Sequence, residues 1–321
     1  MSNHRWYYSF WIALVLSCTQ SSCQEQAHSH AETIPTFELN SSPMANAQLD
    51  TIPYNLTAPI AKINLPKVLE EVSAINHVEG PIFAMVQDED GIIFLYDSEK
   101  EEIVEKIPFA KPGDYEGLAT HEDKLYVLRS DGRIFELTDW RGGTPEVVQF
   151  KPNIPEDLDY EGLCWDPGTQ SLLIAGKEPL GKGAAKSLRA VFSYSPASKK
   201  TSPFLSLDLE HIEASIQNPQ FDDVDSKWAK KFDSESAGSF KPSAIYIHPI
   251  SQKIYMISAT GHLLLALDRN GQILAIERLK KSWLKQPEGI CFTPDGNLWI
   301  TSEGKDLPAV LMGFSYEQEN H

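Results

Sequence analysis

The chain has 321 residues, of which 41% are hydrophobic and 23% are charged, and its formal net charge is −17 with an isoelectric point near 4.9. A surface this acidic repels nucleic acid and anionic membrane faces, so we expect neither as a partner. The length is sufficient for one closed domain of roughly 250 residues together with a targeting segment and a linker.

Residues 1–17 have the features of an export signal. A single basic residue, Arg5, precedes an apolar run from Trp6 to Leu16 that is too short to span a bilayer. The following Val15-Leu16-Ser17-Cys18 resembles the lipobox of bacterial lipoproteins, in which cleavage before the cysteine leaves it acylated. We therefore predict lipidation at Cys18, with ordinary signal cleavage as the alternative. The protein is then anchored to the cell envelope by this lipid alone and faces the periplasm or the cell surface.

Residues 18–52 predict a flexible tether, because they are polar and show no periodic apolar pattern. Residues 53–321 are predicted to form a single domain. A five-residue phrase recurs along this domain, as Glu71 to Ile75, Asp114 to Leu118, Asp159 to Leu163, Lys241 to Ile245 and Gln286 to Ile290. The third residues of the copies are separated by 43, 45, 82 and 45 residues. A period in the forties is typical of propeller blades or of paired-helix arrays.

The segments between the copies favour a propeller. They contain short alternating runs closed by turn signals such as Asp90-Gly91, Asn270-Gly271 and Asp295-Gly296, a pattern of strands joined by hairpins. The apolar spacing of three and four residues that paired helices require is absent. We therefore predict an all-β fold, a β-propeller of four-stranded blades.

The step of 82 residues holds one complete blade, from Glu161 to Leu207, and a charged stretch at 208–240 that we predict to be a helical or irregular insertion. Five blades are therefore expected, with six as the alternative. The last blade has room for about three strands before the chain ends. An N-terminal strand within Tyr54 to Leu65 is predicted to supply its fourth strand and close the ring.

Repeated positions on the first strand of each blade form rings around the central channel. The third residues of the copies are Ser73, Glu116, Glu161, Ser243 and Glu288, and the residues two positions earlier are Glu71, Asp114, Asp159, Lys241 and Gln286. Because side chains alternate along a strand, both rings are expected to point the same way.

Six acids therefore meet in the predicted channel: Glu71, Asp114, Glu116, Asp159, Glu161 and Glu288. Neighbouring carboxylates raise each other's pKa, so either some are protonated or a cation lies among them. Oxygen ligands without Cys or His favour Ca²⁺ or Mg²⁺ over zinc, and we predict a calcium site formed by these six side chains. In the alternative interpretation, the glutamates accept hydrogen bonds from backbone amides of the next blade, and the glycines relieve crowding at the axis.

Taken in order, the five copies together with Gln87-Asp-Glu-Asp-Gly91 and His248-Pro249 resemble the SdiA-regulated, YjiK-like family of bacterial envelope β-propellers, from about Lys67 to Phe314. The resemblance implies a propeller fold and an envelope location, and no particular chemistry. The chain also resembles, more distantly, the propeller phytases and phytase-related esterase-like proteins, which carry Glu-Gly phrases and calcium near the axis. Those enzymes use more basic groups for phosphate than Lys241 and Arg129 provide.

We therefore expect a lipid-anchored, monomeric propeller of binding or scaffold type, whose partner is an unidentified protein or small molecule. The alternative is a calcium-dependent phosphoesterase or esterase related to propeller phytases, with Glu116, Glu161 and Glu288 holding the metal. A third interpretation uses the 208–240 insertion as the contact for a protein partner. Fold analogy by itself does not assign chemistry.

Overall fold

The structure is a computed structural model, and it describes residues 49–217, 232, 239–305 and 307–317. The predicted signal segment, Cys18 and nearly all of the predicted tether lie outside the described residues, as does most of the predicted insertion at 208–240. In the part of the chain that is described, no helix has both the length and the apolar character needed to cross a membrane.

Five antiparallel sheets of four strands each confirm the predicted all-β, five-bladed propeller. The first strand is β1 (Ala61–Asn64), and blade 1 consists of β2 (Val72–Glu79), β3 (Ile82–Gln87), β4 (Ile92–Asp97) and β5 (Glu102–Pro108). Blade 2 consists of β6 (Tyr115–His121), β7 (Lys124–Arg129), β8 (Ile134–Thr138) and β9 (Glu146–Phe150). Blade 3 consists of β10 (Tyr160–Asp166), β11 (Ser171–Gly176), β12 (Leu188–Ser195) and β13 (Lys200–Asp208). Blade 4 consists of β14 (Ala244–Ile247), β15 (Ile254–Ser258), β16 (Leu263–Leu267) and β17 (Ile273–Arg278). Blade 5 consists of β18 (Pro287–Phe292), β19 (Leu298–Ser302), β20 (Val310–Phe314) and β1.

Strand β1 closes the ring, as predicted. It pairs antiparallel with β20, with Ala61 opposite Gly313 and Asn64 opposite Val310. A strand that precedes blade 1 in the chain thus completes blade 5. This pairing covers the edge that β20 would otherwise leave free.

Five apolar clusters hold the blades together, and each cluster lies between two neighbouring blades. One cluster, for example, joins Leu173 and Val191 of blade 3 to Met256 and Leu265 of blade 4. Both faces of each sheet are therefore buried, which explains why many of these strands are apolar along their whole length.

The predicted insertion begins with the helix α1 (Leu209–Ile216). Asp208 caps this helix, because its Oδ1 accepts a hydrogen bond of 3.0 Å from the backbone N–H of Glu210. The apolar face of the helix packs on the cluster between blades 3 and 4. Most of the remaining insertion lies outside the described residues, and its predicted role as a protein contact stays a prediction.

The inner strands depart from the strict alternation that the sequence predicted. In blades 2, 3 and 5 the pairing register shifts at Glu116, Glu161 and Glu288, so each glutamate is the extra residue of a β-bulge. The same shift occurs at Ser73 in blade 1. A bulge interrupts the period of two and re-aims the side chain that it carries. The two rings still meet in blades 2 and 5, where the Glu116 side chain hydrogen-bonds with Asp114 and the Glu288 side chain hydrogen-bonds with Gln286.

The glycine after each glutamate leaves space for the next blade. A Cβ atom built on Gly117 would lie 2.7 Å from Leu163 Cβ, one on Gly162 would lie 3.0 Å from Ile245 Cγ2, and one on Gly289 would lie 3.0 Å from Ile75 Cγ2. Each of these contacts joins an inner strand to the inner strand of the following blade. The glycines therefore relieve crowding at the axis, as the alternative interpretation expected.

The channel narrows beyond the glutamates. A ring of apolar side chains there leaves a space of only about 10 Å³, and the ring consists of Ile75, Leu118, Leu163, Ile245 and Ile290. Tyr246 donates a hydrogen bond of 3.2 Å from its hydroxyl to Asn76 Oδ1, and these residues belong to blades 4 and 1, which are not neighbours. The Tyr246 side chain thus crosses the axis. A ligand of more than one or two atoms is therefore confined to the side of this ring where the glutamates lie.

Candidate axial binding site

Three glutamates lie where the channel opens, and we call Glu116, Glu161 and Glu288 the carboxyl cluster. Each is the second residue of its inner strand, in β6, β10 and β18. Glu161 is only 6% exposed, and the other two are half-buried. The bulges in these strands bring the three side chains close enough to influence each other's ionisation.

Serines occupy the equivalent position in blades 1 and 4, and they join blades. Ser73 Oγ donates to Tyr115 O over 2.6 Å, and Ser243 Oγ donates to Pro287 O over 2.7 Å. Each acceptor is a backbone carbonyl of the following blade. In the alternative interpretation of the sequence, the glutamates accept hydrogen bonds from backbone amides of the next blade. The serines join blades in a similar way, but they donate to a backbone carbonyl.

The remaining predicted acids precede the inner strands. Glu71 and Asp114 are exposed, and Asp159 is half-buried. Asp159 has a left-handed backbone, with φ of 47°, and its carbonyl accepts a 2.7 Å hydrogen bond from Lys177 N. The predicted metal ligands thus divide into three buried or half-buried groups of the carboxyl cluster and three groups nearer to solvent.

The Glu116 carboxyl is strongly biased towards its protonated form. Burial, followed by the charges of Glu161 and Asp114, raises the pKa of Glu116 to about 10. A hydrogen bond with Asp114 also stabilises the protonated form. The sequence analysis predicted that the crowded carboxylates are either partly protonated or compensated by a cation, and protonation of Glu116 is the first of these outcomes.

Lys177 supplies positive charge beside Glu161. Its Nζ forms an ion pair with Glu161 Oε1 and lies 3.8 Å from Asp159 Oδ2. Burial raises the pKa of Glu161 to about 7, although the Lys177 charge opposes this rise. Burial acts to lower the pKa of Lys177, but the charges of Glu161 and Asp159 more than offset it, so the ammonium stays protonated.

Two further acids extend the carboxyl cluster towards blades 1 and 5. Burial, and then the charges of Glu161 and Glu303, raise the pKa of Glu288 well above its usual range. Burial raises the pKa of Glu303 to about 7, with a further contribution from Asp88. Burial also raises the pKa of Asp88 to about 6, and Glu71 adds to the rise. The sequence analysis did not include Asp88 or Glu303 in the metal site.

A cavity of about 340 Å³, which we call the axial pocket, opens above Glu161 and Glu288 on the side of blades 3 to 5. Its polar lining also contains Ser243, Thr260, His262 and Gln286. Five lysines complete it: Lys177, Lys241, Lys281, Lys285 and Lys305. Cavities of this size accommodate small molecules, and the charged lining here favours a charged one.

The five lysines differ in their partners. Lys177 pairs with Glu161, and Lys241 Nζ lies 2.5 Å from Glu178 Oε1. Among the described residues, no carboxylate forms an ion pair with Lys281, Lys285 or Lys305, and we call these three the lysine cluster. The axial pocket thus has acids at its base and, among the described residues, three lysines without an ion pair at its opening, of which Lys305 acts through its charge on Glu303.

Sequence reasoning missed the lysine cluster. It compared only Lys241 and Arg129 with the basic groups of phosphate enzymes, yet Arg129 pairs with Asp131 at 2.6 Å and does not line the axial pocket. Lys281 and Lys285 come from the segment between blades 4 and 5, and Lys305 comes from the loop between β19 and β20. One signal was available, because Lys285 directly precedes Gln286, the first residue of the last copy of the repeat.

The described residues offer suitable donor atoms for a metal but no ready-made arrangement of them. No three His, Cys, Asp or Glu side chains among them converge in a geometry ready to hold a metal ion. Binding by the carboxyl cluster would require Glu161 to exchange Lys177 for the cation. The donor set itself consists of carboxylate oxygens, which suit calcium.

Comparison with known proteins gives a family and a fold. A model of the SdiA-regulated family matches residues 50–314. Among solved structures, the chain is similar to the glutaminyl cyclase of Myxococcus xanthus, with 13% identity and a TM-score of 0.54 over 80% of this chain and 94% of that one. It is also similar to the PQQ-bound aldose sugar dehydrogenase of Streptomyces coelicolor, with 12% identity and a TM-score of 0.48 over 80% and 97%. At 13% identity, the likeness to the glutaminyl cyclase shows a shared fold alone. No curated protein matches the chain.

Proposed function

The chain belongs to the SdiA-regulated family, and from its site we propose that it is a non-catalytic propeller of the cell envelope that binds a small charged molecule in the axial pocket. The observation that carries this proposal is the cavity of about 340 Å³ with charged side chains around it. The narrow apolar ring beyond the carboxyl cluster gives the pocket a closed base. Preformed concave sites with convergent polar groups are typical of ligand binding.

A thermal-shift screen of the full chain, purified in detergent, tests this proposal. The screen uses anionic, cationic, zwitterionic and neutral small molecules, because a ligand that binds only the folded state raises the melting temperature. Thr260 is an exposed residue of the pocket lining, so Thr260→Trp is expected to abolish stabilisation by any true ligand. Thr144→Trp, on the exposed turn before β9, is the matched control. The proposal is wrong if no compound stabilises the protein, or if Thr260→Trp leaves the stabilisation unchanged.

Anchoring of the protein through lipid on Cys18 is the second part of the proposal. It rests on the sequence Val15-Leu16-Ser17-Cys18. Acylated Cys18 is expected to partition the full chain into the detergent phase of a detergent–water separation, and Cys18→Ser is expected to move it into the aqueous phase. Equal partitioning of the two proteins would refute lipidation.

A divalent cation in the carboxyl cluster is the third part. Its support is electrostatic: besides burial, the charge of Glu161 raises the pKa of both Glu116 and Glu288, and a bound Ca²⁺ would relieve that repulsion. Metal content and melting temperature, measured before and after chelation, test it. Near-stoichiometric Ca²⁺ whose removal lowers the melting temperature by several degrees is the expected result. No metal and no shift would refute it.

A calcium-dependent phosphoesterase or esterase is the competing function. It is favoured by the lysines that line the axial pocket beside the carboxyl cluster. Turnover of a panel of generic ester and phosphoester substrates, lost in a folded Glu161→Ala variant, would replace the binding proposal with this one. Glu102→Ala, at an exposed site on the outer strand β5, is the control.

A further inference from the structure

We propose that the axial pocket binds an anionic group, a phosphate or a carboxylate, between the ammonium groups of Lys281, Lys285 and Lys305. This inference rests on the proposed function and names the chemical class of its ligand. It assigns the lysine cluster as the part of the pocket that recognises the ligand's negative charge.

The charge of the pocket opposes that of the whole protein. The formal net charge is −17, yet the pocket lining contains five lysines and only two glutamates. Lys177 and Lys241 are neutralised by Glu161 and Glu178, whereas the described residues provide no ion-pair partner for the lysine cluster. Three like charges around one small cavity repel each other, and an anion bound among them removes that repulsion.

Backbone hydrogen bonds hold the turn between β17 and β18 that carries two of these lysines. Leu279 N donates to His262 O over 2.8 Å, and Leu284 N donates to Lys280 O over 3.0 Å. Leu279 and Leu284 are both buried, so each end of the turn is fixed to the blade. The positions of Lys281 and Lys285 therefore exist before any ligand arrives, which lowers the entropic cost of binding.

His262 supports the placement of this turn from blade 4. Its Nε2 lies 2.9 Å from Lys285 O and donates to that carbonyl, which leaves Nδ1 without a proton. Burial, followed by the charges of Lys281, Arg278 and Lys305, lowers the pKa of His262. His262 lines the axial pocket together with the lysine cluster, so its contact with Lys285 O joins two parts of the same lining.

Lys280 provides a matched control within the same turn. Its Nζ lies 3.7 Å from the centroid of the Trp283 ring, and it does not line the axial pocket. Lys280→Gln therefore removes the same charge from the same turn without touching the proposed anion site.

Isothermal titration of the full chain with inorganic phosphate and, separately, with citrate tests the inference. The titrations use metal-free protein at constant ionic strength, with chloride as the balancing anion, so that general screening stays fixed. At least one of the two anions is expected to bind saturably. Lys281→Gln, Lys285→Gln and Lys305→Gln are each expected to weaken binding about tenfold, because each removes a charge-assisted hydrogen bond that is partly exposed to solvent. Lys280→Gln is expected to change the affinity less than about twofold.

The two probes separate the sources of the negative charge. Binding of phosphate alone assigns a phosphate ligand, and binding of citrate alone assigns a carboxylate. Lys285→Arg retains the charge and is expected to recover most of the affinity lost in Lys285→Gln, which excludes a purely structural effect. The inference is wrong if neither anion binds, or if the triple glutamine variant binds as tightly as the unmodified protein. If anions fail while another compound stabilises the protein in a Thr260-dependent manner, the proposed function survives and only this inference is refuted.

Discussion

Replacement of Glu116 by Gln is expected to stabilise the metal-free protein at neutral pH. Burial, together with Glu161 and Asp114, raises the pKa of Glu116 to about 10 in the folded state, whereas an unfolded chain titrates this group near its usual value of about 4.5. Between these two values the folded protein keeps a proton that the unfolded chain releases. The contribution of Glu116 to the free energy of unfolding is therefore fully present below about pH 4.5 and is lost as the pH rises towards 10. Gln has nearly the same shape and carries no titrating proton, so the variant does not lose this stability.

The size of the effect follows from the distance between the two pKa values. At pH 7, which lies roughly 2.5 pH units above the pKa of Glu116 in the unfolded chain, ionisation of Glu116 stabilises the unfolded chain by about 3 kcal/mol. Relaxation of neighbouring side chains reduces this figure, and we expect a gain of about 2 kcal/mol for Glu116→Gln. For a domain of this size that corresponds to an increase of about 5 °C in melting temperature. At pH 4 the difference between the two proteins is expected to vanish.

Urea unfolding at pH 4, 5.5 and 7, in the presence of a chelator, measures the free energy of unfolding for both proteins. Glu102→Gln, on the exposed edge of blade 1, is the control and is expected to change little at any pH. A Glu116→Gln variant that is less stable than the unmodified protein at pH 7 would refute the argument, since it would mean that the carboxylate is ionised and has a favourable partner. In millimolar Ca²⁺ the sign reverses if Glu116 is a metal ligand, because only the unmodified protein then gains stability from the cation.

Three further predictions concern the scaffold around the site. Burial lowers the pKa of His248 to about 4, so the protein is expected to lose about 3 kcal/mol of stability as the pH falls from 6.5 to 4, and His248→Asn should remove this His248-dependent part of the slope in urea unfolding. Gly289→Ala places a methyl group in steric conflict with Thr301 Oγ1 and 3.0 Å from Ile75 Cγ2 and is expected to cost about 1–3 kcal/mol; Ala244→Gly, at the equivalent position of blade 4, should leave no clash, and equal losses in both variants would contradict the reasoning. Ser243→Ala removes the hydrogen bond to the following blade and is expected to lower the free energy of unfolding by about 1 kcal/mol, and an unchanged value would show that the tie contributes nothing.

The repeat predicted the fold well because every blade of a propeller has the same strand order, so the same sequence pattern recurs once per blade. The spacing of the five copies and the Asp-Gly and Asn-Gly turns specify strand number and hairpin connection locally. Closure by β1 was predictable for a related reason, since a blade with three strands requires a fourth from elsewhere. These inferences depend on local patterns that occur several times in the sequence.

The site was less predictable because it depends on relations between segments. The bulges at Glu116, Glu161 and Glu288 arise from the register between paired strands, which single-strand alternation does not contain. Lys281 and Lys305 lie in connections that do not repeat from blade to blade, so no periodicity marks them. Their convergence on one pocket appears only when blades 4 and 5 are neighbours in space.

Serine and glutamate at the same position of the repeat indicate two different tasks. In blades 1 and 4 the serines bind a backbone carbonyl of the next blade, so the joining of blades does not require a carboxylate. In blades 2, 3 and 5 the propeller instead keeps carboxyl groups that burial and mutual repulsion destabilise in their charged form. A destabilising side chain at a position where a less destabilising one serves the fold is characteristic of functional sites. The carboxyl cluster is therefore better explained by what the axial pocket binds than by the stability of the propeller.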